Sequence, residues 1–333
     1  AVEMITSGTP VDGAKALEIG LVDQVTEDDD VCAEAIRYAE DLIAGAVGLR
    51  VVSEMTIDMD ADTGAAVVAE MRAKLEKSAR GMEAPFRCLE SVANTLTMSF
   101  ADGWAREAEI SAEAVASVES RSLVHAFFAE RQVSKIPDIP ADTPRRSIER
   151  TAIVGAGTMG GGIAMSFANA GMPVTLIDSG KSALDRGIAR IRDNYAATRD
   201  RGRLSAEDMD ARMGLITGAV GIAAVADADL IIEAVFEEMD IKQSIFRELD
   251  GLARDGAILA TNTSTLDVDA IAAVTGRPGD VLGLHFFSPA NVMTLLEIVR
   301  AEKTEKDVIA TVLDLAGRIG KTGVVVGVSD GFV

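Results

Sequence analysis

"TAIVGAGTMGGGIAMSFANAGMPVTLID" (residues 151–178) decides the fold. It opens on a short apolar run, passes through Gly155-x-Gly157-x-x-Gly160, continues with helical character and closes on a second apolar run ending at Asp178. A lone G-x-G-x-x-G is weak evidence. Between a strand-like run and a helix start, with an acidic residue ending the next strand, it has the context of a dinucleotide-binding turn. Gly155 permits the tight turn, Gly157 lets the backbone approach a pyrophosphate, and Gly160 lets helix and strand pack closely. The helix N-terminus at Thr158 and Met159 faces the anion. Asp178 is suited to accept hydrogen bonds from a ribose, and its charge repels a 2′-phosphate, so NAD is favoured over NADP. The competing reading is a glycine-rich turn of some other α/β fold.

Downstream, apolar runs alternate with helical stretches. "GLITGAV", "ADLIIEAVF", "AILATNTS" (257–264), "VLGLHFF" (281–287), "LLEIV" (295–299) and "GVVVGV" read as further strands, with helices between most of them. This rhythm predicts an α/β fold: a Rossmann-type, doubly wound, mostly parallel sheet covered on both faces. Upstream, "DDDVCAEAIRYAEDLIAG", "TGAAVVAEMRAKLEKSARG" and "EAEISAEAVASVESRSLVHAFFAERQ" repeat their apolar residues at helical steps, so an all-helical segment precedes the sheet. The three acidic residues opening the first of these suit a helix N-terminus. Three prolines in "PDIPADTP" (137–144), followed by "RRSIER", read as a linker. The expected organisation is residues 1–136, a linker over 137–149, and a dinucleotide-binding domain over 150–333.

Composition excludes some partners. With 53 acidic against 32 basic residues, the net charge of −21 repels nucleic acid phosphates and anionic membrane surfaces. Cys32 and Cys88 make no disulfide framework and no metal spacing, and read as small apolar filler in a reducing compartment. His125, on a helix without a second ligand nearby, reads as a packing or surface residue, and no metal is expected. No stretch has the length of a membrane span, and the amino end lacks the pattern of a signal peptide. A cytoplasmic location is the expectation.

Strand order should reverse beside the glycine loop, opening a crevice at the carboxyl ends of the strands. Glu237, Lys242, Asn262, Ser264 and His285 should border it. If the strands over 281–287 and 295–299 are neighbours, Glu297 can hydrogen-bond one imidazole nitrogen of His285 and leave the other free to take a proton, as oxidation of an alcohol requires. Spacing alone leaves this open against a core histidine satisfied by a carbonyl, with Glu297 merely solvated.

Five segments, "GAGTMGGGIA", "LIIEAVFEEMDIKQ", "ATNTSTL", "GLHFFSPANVMTLLEIV" and "GKTGVVVGVSDGF", resemble the NAD-binding domain of the 3-hydroxyacyl-CoA dehydrogenases of fatty-acid β-oxidation. The resemblance implies His285 as the catalytic base, Glu297 as its partner, and Ser264 as a contact to the substrate oxygen. Glu237, Lys242 and Asn262 would lie at the cofactor, and the substrate would be an (S)-3-hydroxyacyl-CoA. Ser288 departs from the Asn of many single-function members and looks like the multifunctional branch. "MITSGTPVDGAKALEIGLVDQV" resembles the end of a crotonase (enoyl-CoA hydratase/isomerase) domain, so residues 1–136 read as its helical C-terminal portion. The hydratase site is expected outside these residues, as are the helical domain beyond "SDGFV" and any surface for self-association or a thiolase partner. Arg190, Arg192, Arg199, Arg201 and Arg203 are candidates for CoA contact or simply a solvated helix face. A dehydrogenase of a small non-CoA hydroxy acid and a non-catalytic NAD-binding scaffold are the alternatives.

Overall fold

A computed structural model describes residues 2–27, 30–57 and 59–332, so Ala1, Asp28, Asp29, Asp58 and Val333 lie outside it. Its contacts divide the chain into two units, Ala1–Phe127 and Phe128–Val333. The first contains helices α1 (Val2–Ser7), α2 (Gly13–Glu18), α3 (Val31–Ile43), α4 (Ala61–Ser78), α5 (Ala84–Asn94) and α6 (Phe100–Ala116), and α7 (Val118–Gln132) carries the chain onward. No strand occurs among its described residues. Side chains cap several helix starts: Asp12, Asp30, Asp60 and Ser99 each accept from an amide three residues on. Of the acidic triplet before α3, only Asp30 is described. Leu75, Leu89 and Ile110 are buried within this unit. His125 is exposed, and so is Cys32, which corrects its reading as packed filler, since α3 buries none of its residues.

The second unit is an eight-stranded sheet. Its elements run β1 (Thr151–Val154), α8 (Thr158–Asn169), β2 (Val174–Asp178), α9 (Lys181–Asp200), α10 (Ala206–Gly214), β3 (Ile216–Val220), β4 (Leu230–Glu233) and α11 (Met239–Leu252). Then follow β5 (Ile258–Thr261), α12 (Val268–Ala272), β6 (Val281–Phe286), β7 (Leu295–Arg300), α13 (Lys306–Arg318) and β8 (Thr322–Gly327). The strand order is β3-β2-β1-β4-β5-β6-β7-β8, parallel except where β7 runs against β6. One apolar core, with Ile153, Phe167, Ile191 and Val312, fills one face of the sheet. A second, with Ile231, Phe246, Leu259 and Ile271, fills the other. Central strands buried on both sides explain their unbroken apolar runs. The order reverses between β1 and β4, where a ligand crevice belongs.

Three details differ from the sequence reading. Strands β4 and β5 stop at Glu233 and Thr261, short of the ends read for "ADLIIEAVF" and "AILATNTS". The Glu233 side chain accepts from the Val235 amide at 2.7 Å, turning the chain out of the ladder. Helix α10, capped by Ser205, was not foreseen. The proline-rich stretch is bonded to the second unit, because its charged residues find partners there. The Arg146 guanidinium reaches Asp280 at 2.6 Å and Asp307 at 2.8 Å, its amide donates to Thr311 Oγ1 at 2.8 Å, and Arg300 pairs with Asp138. Ile148 is buried.

The hydrogen bond from Arg146 is the main cause holding the Asp307 carboxyl below its ordinary value. The clasp therefore contributes fully above the usual carboxylate range and fades as pH falls through the depressed value. Arg146→Ala should lower the stability of this unit by about 2 kcal/mol, read as a reduced urea midpoint.

Candidate active site

The reversal point holds a cavity of about 730 Å³. Gly155, Gly157, Thr158, Met159 and Asp178 line it, together with Phe236 from the turn after β4. Gly155 has φ +109°, and a Cβ there would sit 2.6 Å from the Ala234 carbonyl oxygen, so only glycine fits. Gly160 does not line the cavity: a Cβ on it would overlap the Gly155 carbonyl oxygen, which is the close packing expected of the third glycine. At Gly157 a Cβ would meet no protein atom within 4 Å. The space beside Gly157 is open to a ligand, and the α8 N-terminus bordering it favours an anion. Asp178 accepts from the Ala156 amide at 3.1 Å and the Gly180 amide at 3.2 Å, which fixes its carboxylate at the cavity wall. These residues fit a dinucleotide.

Further along the carboxyl edge, β6 and β7 place His285 opposite Glu297. His285 Nδ1 lies 2.6 Å from Glu297 Oε2. The Glu297 side chain is 2% exposed and the imidazole 15%. A carboxylate accepting from Nδ1–H puts the free lone pair on Nε2. The ring is flanked by Phe287, with centroids 4.5 Å apart, and by Phe332. Of the two readings left open by spacing, the core histidine held by a carbonyl is not what is seen.

The connection from β6 to β7 is pinned at Ala290, whose carbonyl accepts from Ser166 Oγ and from the Lys321 ammonium. Burial lowers the pKa of that lysine. Ser288 is exposed on this connection.

Asn262 ties the end of β5 to the histidine strand, its Oδ1 accepting from the Phe286 amide at 2.9 Å. Just beyond, Glu237 Oε1 accepts from Thr263 Oγ1 (2.6 Å), the Ser264 amide (2.7 Å) and Ser264 Oγ (3.1 Å). Burial alone would raise the Glu237 carboxyl. The hydrogen bonds from Thr263 and Ser264 and the charge of Lys242 outweigh it and hold the group below its ordinary value. Asn262, Glu237 and Lys242 stand away from the cavity lining. The Lys242 side chain has no exposed surface, and its ammonium pairs with Glu233 and Glu237.

Sequence reasoning missed Glu233, Thr261 and Thr263. An acidic residue closing an otherwise apolar strand, nine positions before a lysine, was the available signal. The arginines of the α9 region lie on its solvent side. Arg199 pairs with Asp200, and Arg190 donates to Thr158 Oγ1 at 2.8 Å, at the cavity lip.

The chain is similar to several known proteins. The peroxisomal bifunctional enzyme of Danio rerio is 38% identical over the whole chain, which spans 46% of that protein. The peroxisomal fatty acid β-oxidation multifunctional protein MFP2 of Arabidopsis thaliana is 35% identical, with the same coverage. The chain thus spans about half the length of these curated relatives. The crystal structure of 3-hydroxybutyryl-CoA dehydrogenase from Escherichia coli matches 56% of the chain and 40% of that protein, with a TM-score of 0.55 and 36% identity.

These relatives overturn the cytoplasmic expectation, since both multifunctional proteins are peroxisomal. That expectation had rested on missing targeting and membrane patterns. The described residues do contain no helix long and apolar enough to cross a membrane, but that does not distinguish one compartment from another. Residues 150–329 match the model of the 3-hydroxyacyl-CoA dehydrogenase NAD binding domain, and with its glycine turn, Asp178 and the His285–Glu297 pair in place, the chain belongs to that family and its cofactor is NAD.

Proposed function

We propose that the chain is the dehydrogenase portion of a multifunctional β-oxidation enzyme, converting (S)-3-hydroxyacyl-CoA to 3-oxoacyl-CoA. The observation that carries this reading is the 2.6 Å contact between His285 and Glu297, at the same end of the sheet as the dinucleotide cavity. Residues 150–333 are read as the NAD-binding part. Residues 1–136 are read as part of a crotonase-like region, with no hydratase chemistry assigned to them. The similarity to a 3-hydroxybutyryl-CoA dehydrogenase supports a CoA thioester as substrate.

In this reading Gly155, Gly157, Thr158, Met159 and Asp178 hold the dinucleotide, and NAD, when bound, supplies the hydride acceptor. The remaining work falls to side chains of this chain. His285 Nε2 takes the proton of the 3-hydroxyl group. Glu297 keeps the imidazole in the required tautomer and stabilises the imidazolium that forms. The Phe287 and Phe332 rings limit water around the base. Ser264 contacts the reacting oxygen, and Asn262 keeps the Ser264 turn beside the histidine strand.

The test supplies the intact protein with acetoacetyl-CoA or free acetoacetate and follows NADH optically. Turnover of the thioester should exceed that of the free acid by at least about tenfold, because binding of the remote CoA part is spent on the chemical step. NADPH should serve poorly beside Asp178. Equal rates with both substrates would favour a small hydroxy-acid dehydrogenase. NADH binding without any turnover would leave only a scaffold.

A further inference from the structure

Beneath the Ser264 turn lies a cluster that neither lines the cavity nor touches the His285–Glu297 pair. Glu233 ends β4, Lys242 lies in the first turn of α11, and neither side chain has exposed surface. The ammonium is 2.8 and 3.0 Å from the two Glu233 oxygens. Glu233 also accepts from Thr261 Oγ1 at 2.7 Å and from the Val235 amide. From this saturated anchor the ammonium reaches out to Glu237 Oε2 at 3.4 Å. The other oxygen of Glu237 receives the Ser264 amide and hydroxyl.

Stability is a poor explanation for this arrangement. Desolvating two charges takes back most of what their attraction gives, and apolar residues of similar volume usually hold a fold as well. What an apolar pair cannot do is hold a fixed positive charge against Glu237. We infer that Glu233 and Lys242 are positioning residues for Ser264: Glu233 fixes Lys242, Lys242 fixes Glu237, and Glu237 orients the serine turn and its hydroxyl. Glu237 is 38% exposed, so without the cation it is free to swing toward water. Because Ser264 shares its proton with Glu237, the pull of Lys242 on the far oxygen also sets how readily that proton turns to a substrate oxygen.

The inference rests on the reading of Ser264 as a substrate contact, so its test has two arms. In the intact protein, Glu233→Gln/Lys242→Met removes both fully buried charges together and leaves the half-exposed Glu237 without its cation. Acetoacetyl-CoA turnover should fall about ten- to a hundredfold, and the loss should vanish on a Ser264→Ala background, because coupled residues are not additive. Unchanged turnover, or a loss that multiplies with that of Ser264→Ala, overturns the inference.

The second arm needs no turnover. Amide hydrogen exchange at Ser264 and Thr265 should quicken in the paired variant and in Glu237→Gln, whose more exposed site tolerates substitution if the paired variant fails to fold. Unaltered exchange in Glu237→Gln overturns the anchoring. Absence of turnover in the unsubstituted protein, with exchange behaving as expected, would instead overturn the proposed reaction and keep the anchor.

Discussion

Replacing His285 with alanine should slow acetoacetyl-CoA turnover by about 10²–10⁴-fold while leaving NADH affinity within about twofold of the unsubstituted protein. That loss is about 3–5 kcal/mol of barrier. The two quantities should separate because the imidazole does not line the dinucleotide cavity. Its imidazole bonds to Glu297, buried to 2% exposure on the neighbouring strand. A merely packed histidine would behave otherwise: His285→Gln, which keeps most of the volume and one polar contact, would then retain turnover. Turnover within threefold of normal in either variant sinks the assignment. Glu297→Gln should lose activity in the same direction but by less, about tenfold or more, because an amide can still touch Nδ1 but no longer stabilises a charged ring.

The second large effect concerns the turn that cradles the dinucleotide. Gly160→Ala should lower the stability of the second unit by about 2–4 kcal/mol and abolish measurable NADH binding, since the new methyl group overlaps the Gly155 carbonyl and both are backbone-fixed. Gly157→Ala should act differently. Its methyl group meets no protein atom, so thermal stability should stay within about 0.5 kcal/mol of normal. NADH affinity should fall at least about tenfold, because the methyl group occupies the space a pyrophosphate needs. Thermal unfolding and NADH fluorescence titration measure the two effects separately. Normal NADH affinity in Gly157→Ala would show that the ligand does not lie against this backbone.

Much of this architecture was legible in the chain. The β1–α8–β2 unit could be read because its glycines and Asp178 answer to one local geometry, and strand runs such as "TAIV" are apolar on both faces. The short connection between the runs carrying His285 and Glu297 made them readable as neighbouring strands, but spacing left open whether the two side chains would meet. What escaped was decided by distant contacts. Lys242 looked like a residue reaching for a ligand, and its enclosure depends on Glu233 and Thr261, brought together only by the pairing of β4 with β5. The stretch over 137–149 has the composition of a flexible tether. Its anchoring needs Asp280 and Asp307, more than a hundred residues on, which no local pattern reports.

That anchoring bears on how the dinucleotide half can be prepared in isolation. Truncating ahead of residue 150 because the glycine-turn strand starts there would strip a buried isoleucine from beneath the sheet and orphan two aspartates that now share one guanidinium. Fragments that begin before Pro137 should be recovered in the supernatant, and shorter ones should be lost to precipitation or proteolysis.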